Sequence, residues 1–206
     1  MKQFISILTV AALAGAANAN IRITEWMYSG GNGEFVEFTN TSASAIDMTG
    51  WSYDDDSRLP GGFDLSGFGV VAAGQSVIIA ETDAEAFRAA WGLSASVQIL
   101  GGYTNNLGRN DEINLFNSNG DLVDRLTFGD QAFAGSIRTQ NFSGNVLPAA
   151  LGLNDVFGWV LSASGDINGS TLSAAGDLGN PGTWVPAPGA MALLGLGALA
   201  GMRRRR

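Results

Sequence analysis

Short runs of β-branched and aromatic residues, each ended by glycine, asparagine or serine, recur through the middle of this chain and restrict it to a fold built of strands. Residues 21–28 (IRITEWMY) run into Ser29-Gly30-Gly31-Asn32-Gly33, and residues 34–39 (EFVEFT) follow. Two such runs across a short Gly/Asn loop predict a hairpin. Residues 45–49 lead through Gly50 into Trp51-Ser52-Tyr53, a further strand bent at the glycine. Residues 69–80 read as strand, tight turn and strand, with residues 77–80 apolar enough to be buried on both faces. Strands resume at 96–100, 112–116 and 121–128. Asn119-Gly120, between the last two, predicts a type I′ turn, whose two central residues need positive φ. By alternation, Leu122, Asp124, Leu126 and Phe128 share one face of the final strand, and Val123, Arg125 and Thr127 the other.

One helix interrupts this pattern. Thr82-Asp83-Ala84-Glu85 fits a capping box with Thr82 as the cap, Phe87 and Trp91 lie four apart on one face, and Gly92 is placed to end the helix. The aromatic face is expected to cap a sheet rather than bind a cofactor. Beyond Gly129 the composition shifts to Gly, Ser, Asn and Ala; residues 156–161 form an apolar run suited to an edge strand, and residues 162–184 read as a loop followed by a linker. Seven or eight short strands with glycine-rich turns point to an all-β sandwich carrying one short inserted helix.

Both ends read as processing segments. Lys2, an apolar run over residues 4–17 and the small-x-small triplet Ala17-Asn18-Ala19 have the form of a secretion signal, which predicts cleavage by signal peptidase after Ala19. Setting aside Lys2 and the four terminal arginines leaves six of the eleven basic residues against all nineteen acidic ones, a net of −13. Such a globule repels nucleic acid and anionic membrane surfaces, so no nucleic-acid partner is expected. The chain has no cysteine, so stability comes from packing without disulfides.

The chain contains neither histidine nor cysteine. That removes Ser-His-Asp and Cys-His catalysis, most zinc sites and thiol redox chemistry. Carboxylate-pair hydrolysis stays open, but nothing in the sequence marks two acids as a facing pair. Asp54-Asp55-Asp56 is the one dense acidic cluster and invites a hard cation such as calcium, although it lacks the spacing of an EF-hand loop. No other cofactor is expected.

Several separated motifs resemble a known family. Ile21-x-Ile23-Thr24-Glu25-Trp26, then Gly33-Glu34-Phe35-Val36-Glu37-Phe38-Thr39-Asn40 and Ile46-Asp47-Met48-x-Gly50-Trp51, are similar to the opening of a lamin-tail domain. Ala73-Gly74-Gln75 before Val77-Ile78-Ile79, and Asp111-Glu112-Ile113-Asn114-Leu115-Phe116 before Asn119-Gly120-Asp121-Leu122-Val123-Asp124, continue the resemblance to about residue 130. It implies an immunoglobulin-like β-sandwich used for interaction or targeting, with the helix an insertion into a loop. In bacterial exported proteins such domains often accompany nucleases, phosphatases or adhesive domains; here no room remains for a separate catalytic domain. Glu25, Glu37 and Asn40 match recurrent polar positions of the family and are expected to bond to turns and backbone.

The carboxy terminus resembles a PEP-CTERM sorting signal, with Val185-Pro186-Ala187-Pro188, an apolar span, then Arg203, Arg204, Arg205 and Arg206. Alanine stands where that family has glutamate. Residues 189–202, as a helix rising about 1.5 Å per residue, cover roughly 21 Å, short of a ~30 Å hydrocarbon core. The span therefore suits transient inner-membrane insertion with the arginines on the cytoplasmic side. The resemblance implies cutting by an exosortase-type protease near residues 186–189. The chain divides accordingly into a signal peptide (1–19), a lamin-tail-like sandwich (20–130), a Gly/Ser/Asn-rich extension that completes the domain (131–184) and a sorting tail (185–206). The expected function is a non-enzymatic cell-surface or extracellular-matrix module with a polysaccharide or protein partner. The alternatives are an extracellular polymer hydrolase and a calcium-dependent glycan-binding module.

Overall fold

The computed structural model describes residues 20–185. Strands β1 (Ile21–Met27) and β2 (Phe35–Asn40) form the expected antiparallel hairpin, with Gly33 at φ +81° in its loop. Strands β3 (Ile46–Asp47) and β4 (Ser52–Asp54) lie on either side of a bend at Gly50, and β5 (Phe63–Asp64), β6 (Val70–Val71) and β7 (Ser76–Ala80) follow. Helix α1 (Ala84–Trp91) precedes β8 (Gln98–Gly101), and β9 (Asn110–Phe116) and β10 (Leu122–Gly129) form the second long hairpin. The remaining strands are short: β11 (Gly144–Val146), β12 (Trp159–Leu161), β13 (Thr171–Leu172) and β14 (Leu178–Gly179).

A six-stranded sheet, ordered β12-β11-β1-β2-β7-β8, faces a four-stranded sheet, ordered β10-β9-β4-β5. The core fills the space between them: Ile23, Trp26, Phe38 and Ile79 from the first sheet meet Tyr53, Ile113, Leu126 and Phe128 from the second. Two packed sheets of short, mostly antiparallel strands make the all-β sandwich that the strand pattern predicts, of the immunoglobulin-like kind that the resemblance implies. Every residue of β7 is buried because α1 covers the outer face of the large sheet, where Phe87 and Trp91 pack on Met27, Phe35, Ile78 and Ala80. The helix also carries the chain between β7 and β8, which pair in parallel and so need a crossover. Among the described residues no helix is long and apolar enough to cross a membrane.

Several local expectations are corrected. The helix cap is Asp83 rather than Thr82: its carboxylate accepts from the backbone of Glu85 and Ala86 at 3.0 and 3.1 Å, while Gly92 closes the helix at φ +62° as expected. At the second hairpin only Gly120 has positive φ, so the turn is not type I′. Gly120 N–H bonds Asn117 O at 2.9 Å and Asn117 N–H bonds Asp121 O at 3.0 Å, the pattern of a type I turn followed by a glycine bulge. The Asn117 side chain favours this form by accepting from the backbone of Asn119 and Asp121. A register shift between Leu122 and Asp124 then turns Leu122 out to 46 % exposure, while Asp124, Leu126 and Phe128 stay inside. Strands β6 and β7 flank a tight turn but do not pair; β6 joins β3, and β7 joins β2. Residues 162–184 are no linker, since they supply β13 and β14 and bond back to the first hairpin.

Candidate functional site

The first hairpin carries two glutamates where outward-facing residues would ordinarily meet water. The register jumps from Ile23↔Phe38 to Glu25↔Glu37, leaving Thr24 bulged and placing the two acids directly opposite each other. Like charges opposite across a strand pair repel. Both side chains are nonetheless buried, beneath the end of the described chain. Glu25 Oε1 accepts from Ser143 Oγ and from the Asn180 backbone N–H at 2.8 Å. Glu37 accepts from Gly182 N–H at 2.6 Å and from the Thr24 hydroxyl at 2.6 Å. Burial, reinforced by the Glu37 charge, holds the Glu25 carboxyl well above the usual carboxylate range, and burial also raises Glu37. Two facing carboxylates are the chemical minimum of a hydrolase, but a hydrolase also needs a cleft that admits substrate. Here the segment following Asp177 occupies that place; a Cβ on Gly179 would lie 3.0 Å from Glu25 Oε1. The pair works as a hydrogen-bond acceptor that seats the closing segment.

Asn40 has a similar role. Its amide donates to the carbonyls of Ser44 and Val71 at 2.9 Å each, and its oxygen accepts from Ser42, so it ties the turn after β2 to β6. Asp54 sits 3 % exposed at the end of β4, with one oxygen bonded to Ser57 Oγ at 2.6 Å and the other to Arg58 N–H at 2.7 Å. Asp55 Oδ1 accepts from the Asp56 backbone at 2.8 Å. Among the described residues no three acidic side chains converge as a metal site would require. Since loop donors already hold Asp54, calcium is expected to leave the melting temperature unchanged. A rise on adding calcium that Asp55→Asn abolishes would establish a site at Asp54, Asp55 and Asp56.

A shallow recess lies beside that loop. Asp56, Arg58, Asp111, Glu112, Thr127 and Phe133 are among the residues lining a groove of about 480 Å³ on the four-stranded sheet. Arg58 makes a two-point bond to Glu112, which also accepts from Thr127 Oγ1 at 3.1 Å, and the arginine bond holds the Glu112 carboxyl below its ordinary range. Burial raises Asp111. At the rim Phe133 meets Phe157 edge-on, centroids 6.5 Å apart, and Phe157 is 59 % exposed. Leu147, Leu153, Val160 and Leu161 are also exposed on the same stretch of chain, and among the described residues β12 is one of the two edge strands of the six-stranded sheet. The apolar run at 156–161 signalled this edge in the sequence; Phe133, alone in a Gly- and Ser-rich stretch, carried no such signal.

The sequence-derived processing residues Ala17, Ala19, Pro186, Ala187, Pro188, Arg203, Arg204, Arg205 and Arg206 lie outside the described residues, and Val185 is the last one within them. Comparison with curated proteins finds no match. Comparison with protein families does: the family described as Lamin Tail Domain matches residues 14–130, more than half of the chain.

Proposed function

The chain belongs to the lamin tail domain family, and on that premise we propose that it is an exported, non-enzymatic interaction module of the cell surface or extracellular matrix. The supporting observation is the apolar edge: Leu147, Leu153, Phe157, Val160 and Leu161 are exposed within fifteen residues of chain, beside a groove edged by Phe133. Exposed apolar side chains gathered at one place mark a contact surface. The unpaired β12 edge adds backbone groups for strand addition by a partner. Export rests on the secretion signal, and delivery rests on the proline motif, the short apolar span and the terminal arginines, cut by an exosortase-type protease.

Incubating the protein with polysaccharides, nucleic acid and phosphoesters tests this reading against the hydrolase. Binding to surface polysaccharide or protein without turnover is the expected result, and turnover of any substrate contradicts it. Phe157→Ala probes the edge directly. Because Phe157 is mostly exposed, its loss should change stability by no more than about 0.5–1 kcal/mol. Retention on the cell surface should nevertheless fall, and unchanged retention would remove the edge from the proposal.

A further inference from the structure

Strand β12 borders the six-stranded sheet with part of its backbone open. Its pairing with β11 uses alternate residues: Ser162 N–H donates to Ser143 O at 2.8 Å and Leu147 N–H to Gly158 O at 2.9 Å, in the register Asn145↔Val160. Gly158, Val160 and Ser162 therefore turn their backbone groups toward β11, and those of Trp159 and Leu161 point away from the sheet. Among the described residues nothing bonds them. The fold treats the edge of the smaller sheet differently. Along β10, Asn154 Oδ1 accepts from Thr127 N–H at 2.6 Å, and Arg22 donates to Val123 O at 2.7 Å. Open edges are ordinarily guarded by lysine, proline or inward-pointing charge. Strand β12 carries none of these, and between Leu147 and Gly165 the only charged residue is Asp155.

The open groups lie symmetrically about Val160, and that symmetry selects the occupant. A second copy related by a two-fold axis at Val160 sets Trp159 opposite the partner's Leu161, and Leu161 opposite the partner's Trp159. Opposed residues of this kind exchange both backbone bonds, so the two pairs make four bonds and use every open group of the strand. Val160 then faces the partner's Val160 in a non-hydrogen-bonded pair, where side chains come closest and β-branched residues pack well. The same register sets Phe157 opposite Ala163, Asp155 opposite Gly165 and Asp166 opposite Asn154. No carboxylate meets another, although the domain as a whole is acidic. A dimer of standard size buries about 800 Å² per partner, and about 65 % of a homodimer interface is apolar. Leu147, Leu153, Phe157, Val160 and Leu161, all exposed, supply the apolar part. We propose that two copies of the chain pair edge to edge through β12, antiparallel about Val160, in one continuous sheet with six strands from each copy. The proposal rests on the reading of β12 as the contact edge and names a second copy as the partner there.

The chain has no cysteine, so Val160→Cys introduces a single thiol. A non-hydrogen-bonded pair brings two Cα atoms to about 4.5 Å, within the span a disulfide bridges, about 4.4–6.8 Å. The test is mild oxidation of the full chain in detergent, read by non-reducing electrophoresis. Val160→Cys should give a covalent dimer, whereas Val70→Cys, on β6 and 61 % exposed, should not. Sedimentation of the unaltered chain should show a dimer. Val160→Lys and Val160→Glu each set like charges face to face at the axis and should weaken it at least tenfold. Mixing the two variants should restore it, which also shows that both are folded. A Val160→Cys chain that cross-links no better than Val70→Cys overturns the proposal. So does a mixture of the lysine and glutamate variants that stays monomeric, or a dimer that persists in Val160→Lys. A monomeric chain whose surface retention still falls with Phe157→Ala overturns the second copy and leaves the contact edge standing; unchanged retention removes both.

Discussion

Cutting the chain after Gly176 should abolish cooperative unfolding near the native melting temperature, whereas cutting it after Val185 should leave the melting curve unchanged. The difference lies in residues 177–184. Asp177 accepts from the backbone of Gly31 and Asn32 at 3.0 and 3.1 Å, pinning the loop of the first hairpin. Asn180 and Gly182 donate to the buried Glu25 and Glu37, and Leu178 adds a largely buried side chain. Each such hydrogen bond contributes about 0.5–1.5 kcal/mol, and about 1.5–3 kcal/mol where the acceptor is charged. Water reaching the uncovered glutamates offsets part of the loss. A net cost on the order of 5 kcal/mol remains, which is comparable with the whole stability of a small domain. Thermal melts of the two truncations decide the matter: if the shorter one melts within a few degrees of the longer, the closing segment is a tether rather than part of the fold.

The second large effect is a loss of stability as pH rises from about 5 to about 8. Burial, aided by the neighbouring Glu81 charge, raises the Glu34 carboxyl from an ordinary 4.5 to about 8, although Leu107 N–H donates to it at 2.9 Å. Burial likewise raises Asp124 from 3.8 to about 6, against the opposing bonds from Ile23 and Arg125 and the Arg22 charge. Glu25 and Glu37 move in the same direction. A carboxyl raised in the native state holds a proton that the unfolded chain has released. Its contribution is therefore complete below the unfolded value and is lost as pH climbs through the native one. For Asp124, at about 1.4 kcal/mol for each tenfold change in proton affinity, the loss between pH 4 and pH 6 is about 3 kcal/mol. Glu112 and Asp130, lowered by arginine partners, act oppositely and only at more acid pH. Denaturant melts at intervals from pH 5 to pH 8 should show the decline, and Glu34→Gln should flatten its upper half. Stability that is constant or rises over that interval contradicts the burial of these acids.

The two long hairpins, the helix with its aromatic face and the buried β7 were legible because each leaves a local periodic mark: alternation, a four-residue spacing or an apolar run. The turn at Asn119-Gly120 misled because the competing signal, Asn117 folding its side chain over the turn, lies two residues earlier and has the same composition as any turn residue. The closing segment looks like a linker in sequence for a different reason. It is held by Asp177, Asn180 and Gly182 through individual hydrogen bonds to residues 145 to 155 positions away, and such bonds need no periodicity. Glu25 and Glu37 were recognised as recurrent polar positions, but their burial depends on that same distant segment.

The central proposal for this chain is export of an intact sandwich followed by its release from a transient membrane tail. Intact-mass measurement of the protein recovered from the cell surface tests this most directly. A mass that begins at Asn20 and ends between Pro186 and Gly189 is the predicted result, and a mass that still includes Arg203 to Arg206 would contradict it.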